Sequence, residues 1–169
     1  VQATLTTGVR VNGRSLVRPT VWQFRTETLW GTALYRDTRQ RLGNSASYDV
    51  DLGDLDGDGD LDAYVANDGA NRVWLNDGEM GFVDSGQALG SSLSGHAALG
   101  DLDGDGDLDA WDANATTDQI WFNDGTGAFA PSSQTLDYHP GWSVALADLD
   151  GDGDLDAASA CNGPDIIWL

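Results

Sequence analysis

The sequence predicts an all-β chain of short antiparallel strands, built from one structural unit repeated in tandem. Three observations carry that reading. The decapeptide Asp-Leu-Asp-Gly-Asp-Gly-Asp-Leu-Asp-Ala occurs at 54–63, 101–110 and 148–157, spaced by 47 residues each time. The same step superposes Trp74, Trp121 and Trp168, as well as Tyr35, Phe82 and Phe129, and Gln40, Gln87 and Gln134. Between the decapeptides the chain alternates short apolar runs with turn residues and shows no 3.6-residue apolar pattern long enough for a helix.

Each unit can be read in order. In the middle one, 97–100 is a strand entering the acidic loop and 110–113 a strand leaving it. A third strand covers 119–122, Asn123-Asp124-Gly125 makes a turn, and a fourth strand lies near 128–133. Four short strands per 40–50 residues is the signature of a propeller blade, a four-stranded antiparallel sheet. The chain offers a fourth-type strand at 34–42 and full units at 47–89 and 94–136, then stops after a third-type strand. Three blades fall below the usual four to eight. The reading therefore expects further repeats in a longer protein or completion by other copies of the chain.

Residues 1–27 fall outside the repeat. Positions 3–11 alternate loosely, Asn12-Gly13 is a turn signal, and 20–26 reads as another strand, with 28–33 a linker. Composition breaks in the same region. Seven of the eight basic residues (Arg10, Arg14, Arg18, Arg25, Arg36, Arg39 and Arg41) precede residue 43, and only Arg72 follows it among 26 acids. Val1-Gln2-Ala3-Thr4 has neither a charged start nor an apolar stretch, so the chain is expected to begin inside a longer precursor.

A net charge of −20 excludes a phosphate-binding surface, so no nucleic-acid partner is expected. No apolar run approaches the roughly 18 residues a membrane span needs, and no membrane insertion is expected. Cys161 stands alone and is expected to be a buried structural thiol.

Five carboxylates in nine positions repel one another unless a cation sits among them, so each loop reads as a calcium site. In the first, Asp54, Asp56 and Asp58 converge at positions 1, 3 and 5. Asp60 at position 7 offers its backbone carbonyl, and Asp62 at position 9 closes the shell. Leu55 and Leu61 are expected to anchor the loop to the core. The same roles fall to Asp101, Asp103, Asp105, Asp107 and Asp109, and to Asp148, Asp150, Asp152, Asp154 and Asp156, giving three Ca²⁺ in all. Position 12 is Val65, Asp112 or Ser159 rather than Glu, which excludes an EF-hand.

These loops, the Ala-Tyr-Val-Ala-Asn or Ala-Trp-Asp-Ala-Asn run that follows, and Val-Trp-Leu-Asn-Asp-Gly together resemble FG-GAP/VCBS-type repeats, the calcium-binding blades of integrin-α-like propellers. The resemblance covers about 34–169. Residues 1–27, ending Val21-Trp22-Gln23-Phe24-Arg25-Thr26, resemble the last strands of a bacterial Ig-like domain. Together they imply a section of a modular extracellular or cell-surface protein, a non-enzymatic adhesion module with a protein or glycan ligand. Two alternatives are an architectural repeat forming a filament or ring, and a non-catalytic part of a polysaccharide-degrading enzyme. His96 and His139 sit at non-equivalent places, and no Ser-His-Asp spacing, Lys or paired Glu supports catalysis. Tyr64, Trp111, Tyr138 and Trp142 are candidate glycan platforms, against a plainer reading as inter-blade core.

Overall fold

The computed structural model describes residues 10–11, 14–15, 37–79, 81–134, 136 and 138–169. The chain divides into two compact units, Val1–Thr38 and Arg39–Leu169. In the first, β1 (Arg10–Val11) and β2 (Arg14–Ser15) pair antiparallel. The strand expected at 20–26 and the linker at 28–33 lie outside the described residues. Of the strand expected at 34–42, residues 37–42 run as irregular chain instead. Within this stretch Gln40 Nε2 donates to the Phe82 carbonyl at 2.7 Å.

The second unit is all-β among the described residues. Its first blade is β3 (Ser47–Gly53), β4 (Asp62–Asn67), β5 (Arg72–Asn76) and β6 (Phe82–Asp84), each paired antiparallel with the next. The second repeats it with β7 (Ser94–Gly100), β8 (Asp109–Asn114), β9 (Gln119–Asn123) and β10 (Phe129–Pro131). The third has three strands, β11 (Gly141–Ala147), β12 (Asp156–Cys161) and β13 (Ile166–Trp168). Strand bounds advance by the sequence period, and even the register slip recurs, at Ser47/Asp49, Ser94/His96 and Gly141/Ser143. Repetition in sequence has become repetition of backbone geometry.

Apolar burial concentrates between blades. Leu55, Tyr64, Ala66 and Val73 of the first blade pack with Leu89, Ala97, Ala110 and Trp121 of the second. A second cluster joins Trp111, Ala113 and Ile120 to Leu136, Val144 and Ala157. Strands β4 and β8 are buried at every position, and β8 packs toward the first blade through Ala110 and toward the third through Trp111 and Ala113. Their alanines let the sheets approach. Glycine permits a closer approach still. A Cβ added at Gly53 would lie 2.6 Å from Leu108 Cδ1, and one at Gly100 2.7 Å from Leu155 Cδ1.

That packing corrects one expectation. Leu61 is 55 % exposed and anchors nothing, although Leu55 is buried. Leu61, Leu52 and Val50 occupy the face that in blades two and three leans on the preceding blade. No such blade covers them among the described residues. Repeat-equivalent Ala97 and Val144 are almost fully buried.

The plainer reading holds for two of the four candidate aromatics, and the expectation of a buried Cys161 changes. Tyr64 and Trp111 are buried inter-blade residues, whereas Tyr138 and Trp142 are exposed. Of the three repeating tryptophans only Trp121 is fully buried; Trp74 and Trp168 are partly so. Cys161 is also only partly buried. It stands where the first two blades carry Asn67 and Asn114, whose amides tie the β4–β5 and β8–β9 turns together.

Candidate metal centres

Each acidic loop is wound by its own carboxylates. In the second loop, Asp101 Oδ1 accepts from the Gly104 N–H at 2.8 Å and Oδ2 from Gly106 at 3.1 Å. Asp103 accepts from Asp105 N–H and Asp105 from Asp107 N–H. The first and third loops repeat most of this pattern, from Asp54 with Gly57 and Asp148 with Gly151 onward. Nested in this way, the backbone turns tightly enough to bring alternate side chains together.

Three oxygen clusters result. Carboxylate oxygens of Asp54, Asp56 and Asp58 lie within 4.8 Å of one another, as do those of Asp101, Asp103 and Asp109, and those of Asp148, Asp150 and Asp156. Two oxygens bound to one Ca²⁺ at 2.3–2.6 Å lie at most about 5.2 Å apart, so the spacing fits. An all-oxygen donor set suits a hard cation rather than zinc or copper. Burial raises the Asp56 carboxyl above its usual range, with Asp62, Asp58 and Asp54 adding repulsion. Burial likewise raises Asp109, with Asp103 and Asp105 adding to it. A cation would relieve both effects.

The ninth position also serves the fold. Asp109 is fully buried, its Oδ2 accepting from Leu102 N–H and its Oδ1 from Asn123 N–H, both at 2.8 Å. Asp62 holds Leu55 and Asn76 in the same way. Asp156 accepts from Leu149 and Asp150. At Asp109 and Asp156 a candidate ligand position and a fastening role therefore fall on one side chain. Asp109→Ala is expected to destabilise the metal-free protein by roughly 2–4 kcal/mol, because two buried N–H groups lose their acceptor. Under the same conditions Asp103→Ala, at an exposed site, should stay within about 0.5 kcal/mol. Urea denaturation in chelator compares the two.

Sequence reading missed the support beneath the loops. Asn123 Nδ2 donates to the carbonyls of Leu55 and Leu108, joining the second blade's loop to the first's. The Asn-Asp-Gly turns lie against the seventh position. Gly125 sits at φ +75°, and a Cβ there would collide with the Asp107 carboxylate; Gly78 and Asp60 repeat the arrangement. Gly125→Ala is expected to lower stability by about 1–2 kcal/mol from backbone strain alone, measurable as a shift in denaturation midpoint. The coincidence of Asn-Asp-Gly with the loops at the same period was the available signal.

His96 Nε2 lies 3.5 Å from Asp49 Oδ2. That carboxylate also accepts from Ala97 N–H, and Asp51 accepts from Leu99 N–H, so these acids stitch β3 to β7. No described helix is long and apolar enough to cross a membrane.

No curated protein and no solved structure matches the chain. The family model described as FG-GAP-like repeat matches twice, at residues 54–111 and 101–159. The two matches run from the first acidic loop through the third and take in the blade strands between them. Spanning more than half of the sequence, they make this chain a member of the FG-GAP-like repeat family.

Proposed function

We propose that the chain is a calcium-stabilised, non-enzymatic binding module of an extracellular or cell-surface protein, with a protein or glycan ligand. One observation carries the reading: a three-carboxylate oxygen cluster recurs in the acidic loop of each of three successive blades, on positions 1, 3 and 5 in the first and on 1, 3 and 9 in the second and third. In this reading Asp54, Asp56, Asp58, Asp101, Asp103, Asp109, Asp148, Asp150 and Asp156 hold one Ca²⁺ per loop. The ion supplies charge neutralisation and cross-links the loop. Affinity is expected in the range of extracellular modules, on the order of 10⁻⁴–10⁻³ M, so calcium outside the cell would fill the sites. Binding of the chain to glycan and matrix-protein panels, in millimolar calcium and in chelator, tests the proposal. Saturable, chelator-sensitive capture of one ligand supports it. Turnover of a polysaccharide, or no capture in calcium, contradicts it.

The architectural reading draws on the exposed face of Val50, Leu52 and Leu61, whose counterparts are covered by a neighbouring blade. Light scattering in calcium separates the two: a monomer favours the binding module, and a calcium-dependent dimer or ring favours assembly.

A further inference from the structure

Two clefts occupy equivalent places in the first and second blades. The first, about 120 Å³, is lined by Gly43, Ser45, Val65, Arg72 and Trp74 among others. The second, about 200 Å³, presents Gly90, Ser92, Asp112, Gln119 and Trp121 at the same positions. Three differences change its charge. Asp112 replaces Val65 and Gln119 replaces Arg72, while Asp84 of the first cleft has Pro131 at its register, so the first cleft sets a cation beside an acid and the second carries an acid alone. No Lys, Arg or His lines the second cleft.

Asp112 is 2 % exposed. Its Oδ2 accepts from Asn71 Nδ2 at 2.6 Å, Trp121 Nε1 at 2.8 Å and Tyr64 OH at 3.1 Å. Its Oδ1 is buried and has no partner. A buried acceptor without a donor is costly and rare in folded proteins. The cleft that Asp112 lines is also lined by Ser91, Ser92, Thr117 and Trp121, residue types whose oxygens and aromatic ring suit a cation.

We propose that the second-blade cleft binds a small organic cation bearing a primary ammonium group, which supplies the missing donor to Asp112. Cleft size admits several non-hydrogen atoms, not a polymer. The charge excludes phosphates and carboxylates. Burial lifts the Asp112 carboxyl to about 7, against the three donors and with Asp118 adding to the rise. Tyr64 is held well above its ordinary range and stays neutral. An ammonium ion favours the ionised carboxylate, so binding should strengthen from pH 6 to pH 8.

Propylammonium titrated into the protein in saturating calcium tests this, with 1-propanol as the neutral counterpart, followed by calorimetry and the Trp121 indole resonance. Gln119→Arg installs the residue that the first blade already tolerates at this register. Asp112→Asn keeps an acceptor for Trp121, Asn71 and Tyr64. Saturable propylammonium binding that moves the Trp121 resonance, weakened at least tenfold by either variant and absent for 1-propanol, is the expected result. No saturable binding, equal binding by both variants, or equal uptake of 1-propanol overturns the proposal.

Discussion

Chelating divalent cations is expected to lower the melting temperature by roughly 10 °C or more. Five carboxylates share each loop, and their repulsion is offset in the folded chain only by hydrogen bonds to backbone N–H groups. With free calcium about tenfold above Kd, each site adds about 1.4 kcal/mol of stability, and three sites about 4 kcal/mol. At roughly 3–5 °C per kcal/mol for a domain of this size, the shift exceeds 10 °C. Thermal scans by circular dichroism in calcium and in chelator measure it. Magnesium should restore less than calcium, because it demands a tighter octahedron than three converging aspartates provide. A melting curve unchanged by chelator would remove the metal from the account.

The second large effect belongs to Asp112. Asp112→Val copies the first blade's residue at that register, but it strips the acceptor from Trp121 Nε1, Tyr64 OH and Asn71 Nδ2. Leaving these donors buried costs roughly 3 kcal/mol or more. Asp112→Asn should cost much less and should alter the pH dependence. The folded carboxyl titrates near 7, against an unfolded value of 3.8. Between those values the folded chain keeps a proton that the unfolded chain releases. The Asp112 contribution is therefore full below about pH 4, falls as pH rises to about 7, and is flat above it. Its span is on the order of 4 kcal/mol. The stability difference between wild type and Asp112→Asn, measured by urea denaturation from pH 5 to 8, cancels the loops' own titration. Wild type should lose ground to the variant as pH rises; parallel profiles would place the Asp112 carboxyl in the ordinary range.

How the sequence encodes this fold explains what could be read from it. Strand order, the blade boundaries and the turn at Asn123-Asp124-Gly125 followed from periodicity, because each unit solves the same local problem with the same residues. The convergence of the loop carboxylates was legible because alternating Asp and Gly winds the chain tightly. Less legible was everything that acts between units. Leu61 and Leu108 are the same residue in the same motif, yet one is exposed and the other packs against the blade before it. Asp112 and Asp118 show the same limit. At the first interface the second blade's Asp112 meets Asn71 and Tyr64; at the next, Asp118 takes the acid's role and accepts from Trp111 Nε1 at 3.2 Å. The acid has moved from one blade's side of the interface to the other. No single-repeat pattern contains that exchange. Asp62, Asp109 and Asp156 likewise looked like ligands alone, because their bonds to Leu55, Leu102 and Leu149 depend on loop closure.

Calcium stoichiometry tests the central claim most directly. Equilibrium dialysis of the chain should give three Ca²⁺ per molecule with dissociation constants on the order of 10⁻⁴–10⁻³ M, and Asp103→Asn should reduce the count to two while leaving the fold intact. No bound calcium at millimolar concentration, or a count that Asp103→Asn does not change, would contradict the account.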